Sequence, residues 1–322
     1  MLSEFDLIQN YFVKQLITDS RIAMGIGDDC ALLQPTPGMQ LAISSDMLVS
    51  GRHFFADADP HMLGHKCLAV NLSDLAAMGA QPLAFTLALS LPEANPKWLS
   101  GFSRGMFQLA QQHGCYLIGG DTTKGPLNIC ITIFGEIPPG QALRRDAAQV
   151  GDDIWISGDL GDARLALAGY WNDIKLEQAD HQQAALRMHM PTPRNALGVA
   201  LRGIAHAALD ISDGLAGDLG HILERSDVGA IMEIDLLPAG LILQRQSREL
   251  RRQFTLTGGD DYELCFTAPE EKRDAVMAAG AHTSTPVSRV GKIVEGKGLT
   301  VLDQHMQPLQ MDIQTFDHFK TP

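Results

Sequence analysis

Apolar and small residues alternate along the segment 83–91, where leucine or phenylalanine occupies every odd position. Strict alternation of this kind predicts a β-strand. Because the even positions are small but scarcely polar, we expect protein to cover both faces of the strand. The preceding segment 61–78 is apolar through most of its second half and is followed by Gly79 and Pro82, which predicts a largely buried helix that ends there.

Weaker patterns predict the remaining elements. Phe5, Ile8, Phe12 and Leu16 recur at helical spacing and predict a helix over 3–17. Strands are predicted before the DISDG motif and at 40–44, 116–118, 127–137, 154–157, 229–234, 261–267 and 287–294. Helices are predicted at 98–113, 162–170, 181–189, 194–203, 215–225 and 241–252, with one more beginning near Pro269. The elements alternate without the regular period of a doubly wound fold, so we predict an α+β class.

A domain junction is predicted near the middle of the chain, where IPPGQALRRDAAQVGDD interrupts the pattern. Pro138, Pro139 and Gly140 are residues that commonly end regular structure. A chain of 322 residues is also long enough for two domains of the usual size, about 100–200 residues each. We therefore expect an N-terminal domain over 1–139 and a C-terminal domain over 140–322.

The chain is acidic, with 25 Lys and Arg against 38 Asp and Glu and a formal charge of −13. Nucleic acids and anionic membranes select clustered basic residues, so neither is an expected partner. No stretch approaches the ~20 apolar residues of a membrane span, and the first residues carry acids where a signal peptide would carry bases. We expect a cytoplasmic protein whose five scattered cysteines are reduced and mostly buried.

The chain lacks the common nucleotide, protease and hydrolase signatures, including GxxxxGK[ST], HExxH and GxSxG. It carries instead a set of acids beside glycines or hydroxyl residues, mostly after strand-like apolar runs. Asp near Gly is also ordinary turn or cap chemistry, so no single member is decisive. The set has nine members: Asp28, Asp29, Asp46, Asp74, Asp121, Asp210, Asp213, Asp260 and Asp261. Without them the formal charge would be −4.

The turn or cap interpretation does not account for Asp74 and Asp210. Asp74 is the only charged residue between Leu68 and Met78, and Asp210 follows an apolar run. An isolated buried carboxylate is unfavourable by several kcal/mol, so each needs a partner cation. Because the neighbouring donors are oxygens, with no Cys or His among them, Mg²⁺ fits better than zinc. Mg²⁺ sites of this kind occur in phosphoryl transfer.

Six motifs in order, GIGDDCA, ISSDMLVSGRHF, AVNLSDLAAMGA, IGGDT, LDISDGL and GGDDYELCF, resemble those of the thiamine-monophosphate kinases. This family shares a superfamily with aminoimidazole ribonucleotide synthetase and selenophosphate synthetase. The resemblance covers nearly the whole chain. It implies an α/β N-terminal domain whose mixed sheet pairs in a homodimer, and an α+β C-terminal domain that completes the ATP and substrate site.

The activity implied by the resemblance is transfer of the ATP γ-phosphate to thiamine monophosphate, with several Mg²⁺ ions and no covalent catalytic residue. The implied metal ligands are Asp29, Ser44, Ser45, Asp46, Asp74, Asp121, Asp210 and Asp213. The implied ATP contacts are Gly120, Asp121, Arg145 and Ser212. The implied substrate contacts are His53, Asp260 and Phe316. Taken alone, His53 would be a solvated loop residue, Arg145 a surface charge and Phe316 core packing.

Two positions depart from the family pattern. Asp260 stands where the usual family motif GGED has its glutamate, and Phe316 stands where a larger aromatic residue is frequent. We expect both to affect substrate fit more than the metal site. Selenophosphate synthesis is disfavoured because its chemistry needs a reactive Cys or selenocysteine in the N-terminal segment, and no Cys precedes Cys30. The hydrogenase-maturation relatives end in a reactive cysteine, whereas this tail ends in FDHFKTP, so that function is disfavoured as well. The alternative from another class is a non-catalytic binder of Mg²⁺ and nucleotide.

Overall fold

The computed structural model describes residues 4–13 and 15–309. Within them the chain forms two compact units. The first unit comprises Met1–Leu75 and Ala80–Gly140, and the second comprises Ala76–Gly79 and Gln141–Pro322. The mixed helix and sheet content confirms the α+β class. The division of roles predicted for the two halves of the sequence stays a prediction.

The first unit is built on a four-stranded mixed sheet in the order β3-β6-β4-β5. Only β4 and β5 run parallel. The strands are β3 (Gln40–Val49), β4 (Gln81–Leu91), β5 (Tyr116–Lys124) and β6 (Asn128–Ile137), with a separate pair β1 (Ile22–Met24) and β2 (Leu32–Leu33). The helices are α1 (Glu4–Tyr11), α2 (Pro60–Ala77) and α3 (Pro96–Gln112).

One face of this sheet is covered by α2, and the other face is exposed along its edge strand. A Cβ on Gly135 of β6 would meet the Leu75 side chain of α2 at 3.0 Å, so helix and sheet are in close contact. On the opposite face of β3 the side chains of Leu41, Ile43, Met47 and Val49 are exposed. Exposed fractions of 60% for Ile43 and 54% for Met47 mark an apolar strip on the sheet of the isolated chain.

The second unit contains a six-stranded sheet in the order β12-β9-β11-β7-β10-β8. All neighbours are antiparallel except β12 and β9. The strands are β7 (Asp153–Ser157), β8 (Ala207–Asp210), β9 (Gly229–Glu233), β10 (Leu264–Ala268), β11 (Val287–Val294) and β12 (Gly298–Leu302). The helices are α4 (Asp162–Tyr170), α5 (Gln178–His189), α6 (Asn195–Ala200), α7 (Leu215–Ser226), α8 (Arg248–Thr257) and α9 (Arg273–His282).

Both faces of the second sheet are buried. Ile154 and Ile156 of β7 belong to one apolar cluster, whereas Trp155 between them packs in another with Phe266 of β10. Neighbouring residues of a strand point to opposite faces, so the two clusters lie on the two sides of the sheet. The sheet is therefore a rigid platform for the loops at its strand ends.

The structure corrects several predicted elements. The first helix ends at Tyr11, and it is Leu7 and Phe12 that are buried while Phe5 and Leu16 are exposed. The helix predicted over 241–252 begins later and ends later, at Arg248–Thr257 (α8), and a short 3₁₀ turn at Leu243–Arg245 precedes it. Strands β3 and β5 extend beyond their predicted ends, and β1, β2 and β12 were missed.

The described residues contain no helix long and apolar enough to cross a membrane. All five cysteines are free thiols, and three of them are buried: Cys67, Cys115 and Cys265.

Candidate active site

Strand β3 and helix α2 bring together two of the predicted metal ligands. The Ser44 hydroxyl donates a hydrogen bond to Oδ2 of Asp74, which lies 30 positions further along the chain. Asp46 follows Ser44 by two residues on an extended strand and therefore shares its face. The face of β3 turned toward α2 thus carries the Ser44 hydroxyl, which is bonded to the partly buried Asp74, and the Asp46 carboxylate.

Ser45 lies on the other face of β3. Its hydroxyl is 2.9 Å from the Thr132 hydroxyl and donates to the carbonyl of Ile131 at 3.2 Å, both on β6. Alternation along the strand therefore separates the Ser45 side chain from those of Ser44 and Asp46.

Asp121 and Gly120 lie within β5 rather than at a strand end. Asp121 is exposed and stands opposite Ala88 in the parallel pairing with β4. Gly120 has φ +146°, and a Cβ there would lie 1.9 Å from the carbonyl oxygen of Leu87. Only glycine allows the two strands to approach this closely, which accounts for the glycine before Asp121.

The remaining predicted residues of the first unit lie in loops. Asp29 is exposed, and its main-chain N–H donates to the Asp28 carboxylate at 2.8 Å. Nδ1 of His53 accepts a hydrogen bond from the main-chain N–H of Val49 at 2.9 Å. This bond makes Nδ1 the acceptor of the neutral ring, which leaves Nε2 to carry the proton.

In the second unit, the end of β8 and the loop that follows it carry three predicted site residues. Asp210 is the last residue of β8 and is 6% exposed, and Ser212 and Asp213 follow it before α7 begins. One oxygen of Asp218, Oδ2, accepts hydrogen bonds from the main-chain N–H groups of Ser212, Asp213 and Gly214, each at 3.1 Å. The carboxylate of Asp218 therefore fixes the backbone of this loop.

Asp218 is itself buried, at 5% exposed. Burial, together with the nearby charge of Asp213, raises its pKa to about 7 against the lowering effect of the main-chain donors. Sequence analysis missed Asp218. Its only signal was an acid in the first turn of a predicted helix, a position that favours negative charge in any helix.

The segment 258–262, which contains the predicted substrate contact Asp260, lies against this loop. The main-chain N–H of Asp260 donates to the Ser212 carbonyl at 2.8 Å, and that of Tyr262 donates to the Ile211 carbonyl at 2.8 Å. Asp260 and Tyr262 have φ of +70° and +52°. A Cβ on Gly259 would lie 2.4 Å from the Ser212 carbonyl oxygen, so the contact requires glycine.

A buried ion cluster anchors the end of this segment. Glu263 is fully buried and accepts hydrogen bonds from Arg187, Arg194 and the Ser157 hydroxyl, each at 2.6 Å. The Ser157 hydroxyl in turn accepts from the main-chain N–H of Leu264 at 2.8 Å. Two guanidinium groups and a hydroxyl compensate the loss of hydration of this carboxylate, which holds the start of β10 in place.

Asp261 has a structural role. It is 2% exposed, and both of its carboxylate oxygens accept from the main-chain N–H of Gly161, at 2.9 and 3.0 Å. Burial raises the pKa of Asp261 well above its usual value. Its side chain points toward the start of α4, so of the two acids in GGDD only Asp260 is a candidate for ligand contact.

Two further candidates are less constrained. Arg145 is exposed, and its carbonyl accepts from the Ser226 hydroxyl at 2.9 Å, whereas its neighbour Arg144 pairs with Asp146. This leaves the Arg145 guanidinium facing solvent. Phe316 lies outside the described residues.

The donor chemistry fits Mg²⁺. Among the described residues, no three or more His, Cys, Asp or Glu side chains lie together as a metal-binding group. Mg²⁺ does not require such a group, because it is commonly held by one or two carboxylates and completed by water and substrate phosphates. The oxygen donors Ser44, Asp46 and Asp74, with no Cys or His between them, meet that requirement.

Comparison with known protein families assigns both halves of the chain. Residues 27–137 match the model of the AIR synthase related protein, N-terminal domain, and residues 149–304 match the model of its C-terminal domain. The fold and the placement of acids on β3, α2 and the loop after β8 thus define an enzyme of the AIR synthase related class.

Individual relatives narrow this class. Thiamine-monophosphate kinase of Escherichia coli K12 is 44% identical over 322 residues, 99% of each chain. The crystal structure of thiamine-monophosphate kinase from Stenotrophomonas maltophilia K279a superposes with a TM-score of 0.86 at 49% identity, covering 93% of this chain and 96% of that one. The chain belongs to the thiamine-monophosphate kinase family.

A second solved structure contains ligands. AaThiL complexed with AMPPCP and TMP is similar with a TM-score of 0.77 at 27% identity, covering 99% of this chain and 97% of that chain.

Proposed function

We propose that this enzyme transfers the γ-phosphate of ATP to thiamine monophosphate and so forms thiamine diphosphate, the last step of that synthesis. The observation that carries the proposal is the oxygen-only group on β3 and α2, in which the Ser44 hydroxyl bonds to Asp74 and Asp46 shares the face. Full-length identity of 44% to an Escherichia coli thiamine-monophosphate kinase supports it, as does the similar AaThiL complex with AMPPCP and TMP.

Several Mg²⁺ ions would be held by carboxylate and hydroxyl oxygens of this chain. The proposed ligands are Asp29, Ser44, Asp46, Asp74, Asp121, Asp210 and Asp213. We propose Ser44 rather than Ser45 as the hydroxyl ligand of β3, because the Ser45 hydroxyl faces β6 partners on the opposite side. When bound, Mg²⁺ would neutralise charge on the β- and γ-phosphates.

The protein side chains then bind and orient the two substrates. Gly120, Asp121, Arg145 and Ser212 are proposed to contact ATP, and the exposed Arg145 guanidinium is suited to a triphosphate. His53, Asp260 and Phe316 are proposed to contact thiamine monophosphate. The substrate phosphate would attack the γ-phosphorus directly in line, with ADP as leaving group, so no side chain needs to form a covalent bond.

We also propose that the enzyme is a cytoplasmic homodimer. The apolar strip on β3, formed by Leu41, Ile43, Met47 and Val49, would be covered by the sheet of a second copy. Apolar side chains on a sheet face are stabilised by removal from water, which favours such pairing.

The test is a product assay. Purified protein is incubated with ATP and Mg²⁺, together with either thiamine monophosphate or thiamine, and thiamine diphosphate is quantified. We expect product from the monophosphate alone. An absence of product from the monophosphate, with the protein folded and able to bind AMPPCP, would leave the non-catalytic nucleotide binder as the correct function. Product from free thiamine would assign a different kinase activity.

A further inference from the structure

Asp218 makes an unusual set of hydrogen bonds for a buried acid. A single oxygen, Oδ2, accepts three consecutive main-chain N–H groups, those of Ser212, Asp213 and Gly214, each at 3.1 Å. The carboxylate lies in α7, which begins at Leu215, so it closes the loop onto the start of its own helix. The helix dipole and the three donors offset part of the cost of burying this acid.

The other side of the same loop is bonded to the segment 258–262. The carbonyls of Ile211 and Ser212 accept from the main-chain N–H groups of Tyr262 and Asp260, and the N–H of Ile211 donates to the carbonyl of Glu263, all at 2.8 Å. The loop therefore has its N–H groups held by Asp218 and its carbonyls held by the segment 258–262. Neither stretch can move without breaking hydrogen bonds of the other.

We propose that Asp218 is a positioning residue that couples the nucleotide and metal loop 210–214 to the substrate segment 258–262, so that occupation of one favours binding at the other. This inference rests on the proposed function for the identity of the two ligands. Asp218 need not touch either ligand, because its effect passes through the backbone of Ser212 to Asp260. Coupling of this kind is reciprocal: each ligand must raise the affinity for the other by the same factor.

Asp152 provides a matched control. It too is a buried acid of the second unit, 2% exposed, that accepts from a main-chain N–H, that of Gln149 at 3.0 Å, and from the Thr267 hydroxyl at 2.9 Å. Asp152 precedes β7 and contacts His206, which lies just before the start of β8. Asp210 lies at the other end of β8, so Asp152 is at the end of the strand away from the loop 210–214. A general loss of stability should appear in Asp152→Asn, and a loss of coupling should not.

The experiment compares wild type, Asp218→Asn and Asp152→Asn. Isothermal titration measures the Kd of AMPPCP with Mg²⁺ and that of thiamine monophosphate, each with and without the other ligand. Hydrogen exchange measures the amides of 212–214, 260 and 262. In Asp218→Asn we expect faster exchange at both stretches, a rise of about tenfold in both Kd values, and loss of the coupling factor. Asp152→Asn should stay within about twofold of wild type.

A second variant tests the same contact by a change in the segment 258–262. Gly259→Ala places a Cβ 2.4 Å from the Ser212 carbonyl oxygen, so it should speed exchange at 212–214 and weaken AMPPCP binding. Gly220→Ala, in α7 with open space around its Cβ position, is the control that should leave both unchanged.

The proposal is overturned if folded Asp218→Asn or Gly259→Ala binds both ligands with wild-type coupling, or if only the nucleotide affinity falls. It is also overturned if Asp152→Asn loses coupling to the same extent. Failure of the proposed function is a separate result, because it would appear as wild type binding both ligands without forming thiamine diphosphate.

Discussion

The Ser44 hydroxyl on β3 donates a hydrogen bond to the Asp74 carboxylate on α2. Because this bond holds the hydroxyl and the carboxylate together, both can serve as oxygen ligands. We predict that Ser44→Ala lowers kcat at least tenfold, roughly the loss of one charge-assisted hydrogen bond or ligand. Ser45→Ala is the matched control, because that hydroxyl lies on the opposite face. Equal effects of the two substitutions on steady-state kcat would contradict the assignment of Ser44.

Loss of either carboxylate should lower turnover more than loss of the Ser44 hydroxyl. Asp46→Asn and Asp74→Asn remove a negative charge while keeping side-chain shape, so we expect each to abolish turnover and to leave the fold intact. Turnover is measured by thiamine diphosphate formation, and the fold by circular dichroism and thermal unfolding. Near-normal activity of either folded variant would count against its role as a metal ligand.

Asp260→Glu restores the family's usual GGED and should act on substrate binding rather than on chemistry. The longer side chain can reach a ligand that Asp260 would contact through water. We expect KM for thiamine monophosphate to fall and kcat to stay within about twofold. Steady-state kinetics decide this, and a large fall in kcat at saturating substrate would refute it.

The apolar strip on β3 predicts the response of the proposed homodimer to charge. Ile43→Lys or Met47→Lys places a charge on exposed apolar positions of the first sheet, and should convert the dimer to monomer. Met277→Lys, at a residue of α9 that is similarly exposed at 53%, should leave the mass unchanged. Sedimentation equilibrium measures the mass. A wild-type monomer, or a dimer unaffected by both strip variants, would exclude pairing through this face.

Asp153 should stabilise the second unit in a pH-dependent manner. Burial by itself would raise the pKa of Asp153, but ion pairs with Arg273 and Arg289 prevail and lower it below the usual value. A lowered folded-state pKa stabilises the protein above the unfolded pKa, near 4, and that contribution is lost as the pH falls through the folded value.

We therefore predict that Asp153→Asn lowers the free energy of unfolding by about 2 kcal/mol at pH 7, a moderate value because both arginines are partly exposed. The difference from wild type should shrink below about pH 4. Urea unfolding at pH 7 and pH 3 measures it. A difference that grows on acidification would show that the ion pairs do not carry the effect.

Several features of the molecule followed from the sequence alone. The alternation over 83–91 gave β4, and the apolar run before Gly79 gave α2, because both patterns are local consequences of which side chains can be buried. The ordered motifs identified the family, since each motif is a short stretch with its own turn chemistry. Oxygen donors without Cys or His predict Mg²⁺ for the same local reason, and this stays a prediction.

Only the tertiary structure decided which of these residues meet. Ser44 and Ser45 are adjacent and chemically identical, and the alternation of β3 sends one to Asp74 and the other to Thr132. Asp260 and Asp261 are likewise adjacent, yet Asp261 is buried on the N–H of Gly161. Asp218, which lies outside the six motifs, bonds to the loop that carries the predicted site residues Ser212 and Asp213. Local sequence determines the chemistry of a side chain, whereas its direction and partners depend on strand register and on contacts between residues far apart in the chain.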